Sequence, residues 1–87
     1  MSISKNFILK EVAGEFMIIP VSNGNVDFSK VFDINDSGAF IYKALEEGKT
    51  KEEIITLMCA EYDAPKAVIE ADYDEFVSEL IKRGIYE

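Results

Sequence analysis

The chain has no histidine and no tryptophan, one cysteine, two prolines and only nine cations against seventeen acids. Each scarcity excludes something. Without histidine, the commonest general base and metal ligand is gone. A single cysteine, Cys59, rules out an internal disulfide and, with no partner at ligand spacing, a structural zinc site; it fits a reducing cytoplasm. Cys59 lies between Met58 and Ala60 in a helical stretch, where a small buried or half-buried hydrophobe is the expected role. No apolar run approaches the roughly 20 residues a membrane span needs. The start, Met1 to Asn6, has neither a long apolar segment nor a small-residue cleavage site, so no secretory signal is visible. The glycines at Gly14 and Gly24 do not build a phosphate cradle, and no Asp-x-Asp-x-Asp-Gly loop is present.

What is there describes an ordinary globular chain: 87 residues, 48% hydrophobic and 30% charged, enough for one domain, 1–87, with one modest core. The net charge of −8 is uneven. Residues 1–33 carry three lysines and four acids, a balance of −1, whereas residues 34–87 carry six cations and thirteen acids, a balance of −7. Such a surface repels phosphate backbones and anionic lipid, so neither nucleic acid nor membrane is expected as a partner, while a basic partner is tolerated. Acidic helix faces also serve simple solubility.

Hydrophobic periodicity sets out the elements. Phe7 to Val12 and Glu15 to Val21 read as two strands around an Ala13-Gly14 turn, a hairpin. Pro20 lacks an N–H and belongs near the strand's end or at an unpaired position. Ser22 to Asn25 is a turn-rich loop, Val26 to Lys30 a connector of undefined shape, and Lys30 to Ile34 a third strand. That strand runs straight into a helix capped by Asn35, with Asp36 and Ser37 near its positive end and Gly38 and Ala39 small enough for close approach. The helix spans about Asp36 to Glu47 and stops at Gly48. A second opens at Thr50 with a Thr50/Glu53 capping box, and its apolar positions Ile54, Ile55, Leu57, Met58 and Tyr62 follow helical spacing. A third is expected to start with Asp63 as cap and Pro65 in its first turn, to carry Ile69, Tyr73, Phe76, Val77, Leu80 and Ile81 at three- and four-residue spacing, and to end at Gly84 after Lys82 and Arg83. Ile85 and Tyr86 fold back onto the body. The order gives an α+β fold, a three-stranded antiparallel sheet followed by three helices, in which the second and third helices form a helix-turn-helix unit with the sheet as a wing.

Three stretches carry a resemblance: residues 7–21 (Phe-Ile-Leu-Lys-Glu-Val-Ala-Gly-Glu-Phe-Met-Ile-Ile-Pro-Val), residues 31–42 (Val-Phe-Asp-Ile-Asn-Asp-Ser-Gly-Ala-Phe-Ile-Tyr) and residues 48–55 (Gly-Lys-Thr-Lys-Glu-Glu-Ile-Ile). The third helix, with Asp72-Tyr73-Asp74-Glu75-Phe76 at its centre and Gly84-Ile85 at its end, agrees. The sequence resembles the PqqD-like family of pyrroloquinoline quinone biosynthesis, the prototype of the recognition elements for ribosomally made, enzymatically modified peptides. The resemblance implies a winged-helix-like fold and no catalysis or cofactor. It implies binding of a precursor's leader segment, which is handed to a modifying enzyme, often a radical S-adenosylmethionine enzyme. In such proteins the leader joins the sheet against the third strand, in the groove facing the third helix. Carried over, the expected contacts are Lys30, Val31, Phe32, Asp33 and Ile34 on the strand, and Ile69, Asp72, Tyr73, Phe76 and Leu80 on the helix. Plain core packing competes for each apolar one. Tyr73 is the foremost helix candidate, because its ring can pack while its hydroxyl stays wet. Asp72 and Glu75 flank the stripe and suit a basic leader residue. Two other readings fit the same residues. One is an oligomerising module whose free edge pairs with a second copy in a homodimer. The other is a DNA-binding winged helix, which the acids of the third helix oppose.

Overall fold

The computed structural model describes residues 1–87. The chain forms strands β1 (Phe7–Val12), β2 (Glu15–Ser22), β3 (Asn25–Val26) and β4 (Phe32–Ile34), then helices α1 (Asp36–Glu46), α2 (Lys51–Glu61) and α3 (Lys66–Lys82). This is the expected α+β order, an antiparallel sheet followed by three helices. β2 is the centre of the sheet. β1 pairs along one side of it from Phe7↔Pro20 to Val12↔Glu15. β4 and β3 share the other side end to end, β4 opposite Phe16–Ile18 and β3 opposite Val21–Ser22. The two-residue β3 is an addition that the sequence does not announce.

Two hairpin turns set the register. Ala13 and Gly14 have φ of 54° and 81°, and Asn23 and Gly24 have φ of 54° and 78°. Positive φ at both central residues is the turn geometry whose twist matches a two-residue hairpin. The third strand is shorter than expected, and Pro20 explains why. Extending the β2–β4 register by two residues would set Lys30 opposite Pro20, whose nitrogen has no hydrogen to give. The chain instead makes one 3₁₀ turn at Phe28–Lys30, capped by the Asp27 side chain, which accepts from the Ser29 N–H at 3.0 Å. Lys30 and Val31 therefore lie outside the strand. Pro20 pairs with Phe7 on the β1 side, and on the other side its missing N–H falls in the gap between β3 and β4. Its carbonyl accepts from the Asp27 N–H at 3.0 Å.

The helix ends follow their caps. Asn35 Oδ1 accepts from the Gly38 N–H at 2.8 Å and starts α1. Thr50 and Glu53 close the capping box of α2, at 2.9 and 3.2 Å. α3 differs: its N-cap is Pro65, without a side-chain bond, and Asp63 lies too far upstream to reach the first free N–H groups. The Pro65 carbonyl takes the N–H groups of Val68 and Ile69 at 3.0 and 3.1 Å. Gly48 and Gly84, at φ of 81° and 71°, end α1 and α3. In each case the glycine N–H and the next one bond back to the last turn, a Schellman ending.

The core joins Ile18 of the sheet to Ile41, Tyr42, Leu45, Ile54, Met58, Ile69, Tyr73 and Leu80 of the helices, and Ile85 folds back into it. Alternation along the strands puts Phe7, Leu9, Phe16, Ile18, Phe32 and Ile34 on the helix-facing side. The opposite face is apolar as well, with Ile8, Met17, Val21 and Val31 around an Ile19 that is fully buried. Cys59 is exposed, contrary to expectation, and so is Leu57. α2 buries a narrow stripe of Ile54, Ile55 and Met58, and both residues fall roughly a quarter turn or more from its centre. No helix is long and apolar enough to cross a membrane.

Candidate functional site

β4 is an edge. It pairs with β2 on one side and with nothing on the other. Which of its backbone groups are free follows from parity. The Val21 N–H donates to the Asn6 carbonyl at 2.8 Å, on the β1 side, and the Pro20 carbonyl accepts on the β3 side. Odd-numbered residues of β2 thus turn their polar groups toward β1 and even-numbered ones toward β4. In β4 it is then Phe32 and Ile34 that bond to β2, and Asp33 with the preceding Val31 that turn N–H and C=O outward. The edge offers four backbone groups over about 7 Å of chain.

The edge borders a groove floored by β4 and walled by α3. Three hollows lie in line along it. The first, about 620 Å³, sits at the start of β4 between Phe7, Pro20, Lys30, Val31, Phe32 and Arg83. The second, about 360 Å³, runs over Phe32, Gly38, Ile41 and Phe76 beneath Asp72, Glu75 and Glu79. The third, about 750 Å³, lies past the end of β4 among Phe16, Ile34, Met58, Tyr62, Ile69 and Asp72. Phe32 is the centre of the floor. Its ring stacks on Phe76, with centroids 6.3 Å apart, and the Arg83 guanidinium lies 3.9 Å from its centroid. Gly38 lets these parts meet: a Cβ there would stand 3.0 Å from Phe76 Cε1 and 3.3 Å from Ile34 Cβ.

The structure brings Phe32, Asp33, Ile34, Ile69, Asp72 and Phe76 to the groove, with Val31 and Lys30 at its head. Tyr73 and Leu80 lie elsewhere. Tyr73 is 6% exposed and Leu80 fully buried, both belong to the core, and neither lines any of the three hollows; Ile69 is a core residue too, but its edge reaches the third hollow. Burial raises the Tyr73 hydroxyl above its ordinary range. The groove-facing stripe of α3 is Ile69, Asp72, Phe76, Glu79 and Arg83, one step round the helix from the purely apolar stripe. Glu79 and Arg83 are the residues that apolar periodicity misses. Their signal was the same three- and four-residue spacing carried by charged side chains, which a count of hydrophobes passes over. They are themselves joined, Arg83 Nε donating to Glu79 Oε1 at 3.0 Å. Asp72 and Glu75 have no cation within 4 Å, since the ion pairs of this region are Lys51–Asp74, Lys66–Glu70 and Arg83–Glu79. No three Cys, Asp or Glu side chains converge closely enough to hold a metal ion.

With an open edge, an apolar floor and unpaired acids on the wall, the arrangement can receive an extended chain; it offers no nucleophile–base pair. Residues 8–85 match the family model described as coenzyme PQQ synthesis protein D, PqqD. The chain belongs to the PqqD family. No protein of curated function matches it in sequence. Among solved structures, this PqqD-family chain is similar to TbiB1 in complex with the TbiA(beta) leader peptide, at 29% identity and a TM-score of 0.80, over 100% of this chain and 95% of that one. It shares its fold with lasso peptide synthetase B1 complexed with the leader peptide, at 16% identity and a TM-score of 0.79, over 98% and 94% of the two chains.

Proposed function

We propose that residues 1–87 act as one non-catalytic recognition unit that binds the leader of a ribosomally made precursor peptide and presents it to a separate modifying enzyme. The enzyme type that the family resemblance suggests is a radical S-adenosylmethionine enzyme. The observation that carries the reading is the unpaired edge at Val31 and Asp33 lying directly beside the groove between β4 and α3. Family membership and the two similar structures, both complexes with leader peptides, support it.

The energetics say how such a site works. Four edge groups make up to four bonds, each adding about 0.5–1.5 kcal/mol net. Ordering a flexible leader costs about 2–5 kcal/mol or more. Backbone pairing therefore sets geometry but leaves little surplus. Affinity comes from apolar leader side chains entering the hollows over Phe32, Phe76 and Ile69, at about 1.5–3 kcal/mol for each one fully buried. Lys30, Val31, Phe32, Asp33, Ile34, Ile69, Asp72 and Phe76 make the contacts in this reading, with Tyr73 and Leu80 as packing behind them.

Asp33→Pro tests it. The substitution removes an outward N–H and keeps the bonds of Phe32 and Ile34 to β2, a change that edge strands tolerate. Binding of the leader encoded beside the gene should fall about three- to tenfold, by calorimetry, while the thermal transition and the amide spectrum away from β4 stay as in the parent. Unchanged affinity in a folded variant would sink the edge-pairing model.

A further inference from the structure

The groove is not uniform in charge. At the head of β4 stand Lys30 and Arg83, two of the nine cations of a chain that carries seventeen acids. Lys30 has no ion-pair partner within 4 Å. Arg83 is held in place by the Phe32 ring at 3.9 Å and by its Nε bond to Glu79, and its terminal nitrogens make no hydrogen bond to any side chain. A fixed guanidinium with free terminal nitrogens is suited to a carboxylate. Farther along the same groove the wall is Asp72 and Glu75, both unpaired. The two ends thus have opposite sign.

The geometry sets a ruler between them. Asp72 and Arg83 are eleven residues apart on α3, an axial separation of about 16 Å. An extended chain covers that in about five residues. Side chains that face the groove are an even number apart, which leaves four or six. Direction follows from pairing: antiparallel addition is the more stable kind, and it runs the incoming strand from the Asp72 end to the Arg83 end.

We infer that this groove reads charge order: it selects an extended peptide with a basic residue followed, four or six positions later, by an acidic one, with apolar side chains on the same face between them. The inference rests on the leader-binding reading above and adds a register and a direction to it. Lys30 and Arg83 are specificity-determining residues in this scheme, and Asp72 and Glu75 are their counterparts.

Selection of random peptides of about 15 residues by messenger-RNA display on the intact chain tests it, followed by an amide NMR titration with the enriched sequences. The expected pool carries Lys or Arg, then Asp or Glu at the fourth or sixth position after it. The paired change Lys30→Glu with Arg83→Glu should turn the second preference from acidic to basic. Lys30→Gln, which leaves the Phe32 stack untouched, should weaken parental winners by about fivefold, less at high salt. Enriched peptides that shift the β4 amides but show no charge order would overturn the charge reading and leave leader binding standing. Enriched peptides that bind away from β4, or no enrichment at all, would overturn both.

Discussion

Tyr42 has no exposed surface, and its hydroxyl has no hydrogen-bond partner. Burial, with the Glu46 carboxylate nearby as a smaller cause, pushes its pKa up to about 12. An unfolded tyrosine ionises near pH 10. Its folded value is raised, so its contribution is complete below about pH 10 and is lost as the pH climbs toward 12. Tyr42→Phe removes the orphaned hydroxyl and keeps the ring. We expect it to stabilise the chain by about 1 kcal/mol at neutral pH, which is about 4–8 °C in a domain of this size. It should also flatten the fall in stability between pH 10 and 12. Tyr62 and Tyr73, raised by burial too, retain part of that fall. Thermal melts across pH read both effects. At the same scale, Tyr73 shows where reading residues singly fails. A phenol on an apolar stripe suits a wet groove wall and a core equally well; only the rotation of α3 about its own axis, fixed by three-dimensional packing, separates the two. That rotation puts Phe76 in the groove and Tyr73 in the core.

The elements that were legible in the sequence are those set by local chemistry. Asn35, the Thr50/Glu53 pair, Gly48 and Gly84 mark helix ends within a residue or two because each supplies or requires a specific bond or a positive φ. The edge strand was harder to bound. Its length depends on Pro20, ten residues before Lys30 in sequence and opposite it only once the sheet has formed. The short β3 depends likewise on the Asn23-Gly24 turn folding Asn25 back onto Ser22. Asp63 misled because proline and an upstream acid are a common helix start, yet here the cap falls on Pro65 itself. The first hairpin carries a testable cost. Ala13 holds a φ of 54°, a region that penalises a residue with a Cβ by roughly 1–2 kcal/mol. Asn-Gly is the preferred pair for this turn, so Ala13→Asn should stabilise the chain by about 0.5–1 kcal/mol, measured by urea unfolding with an unchanged slope. A loss of stability would mean that the Ala13 methyl makes a contact worth more than the strain.

At the scale of the whole molecule, charge and edges divide the labour. The helical part carries a balance of −7 and the first 33 residues only −1. The acidic surface of α2 and α3 opposes a phosphate backbone, and the β4 edge is where the sheet is open to an added chain. In the proposed mode an extended partner adds to the sheet at this edge and covers the apolar floor in one step, which joins groove and edge in one site. The overall fold was readable from the order and spacing of caps and apolar runs, and the family from the resemblance of residues 7–21, 31–42 and 48–55; the charge order of the groove was not readable, because it depends on which face of α3 meets β4. The most direct measurement of the central claim is a backbone amide NMR titration with the leader of the precursor encoded beside the gene. Edge pairing in the β4–α3 groove should give saturable shifts concentrated at residues 30–34 and on the groove face of α3 from Ile69 to Arg83, with slowed hydrogen exchange at the Val31 and Asp33 amides. Saturable shifts confined to β1, or to the sheet face around Ile8 and Ile19, with Val31 and Asp33 exchanging as before, would contradict it.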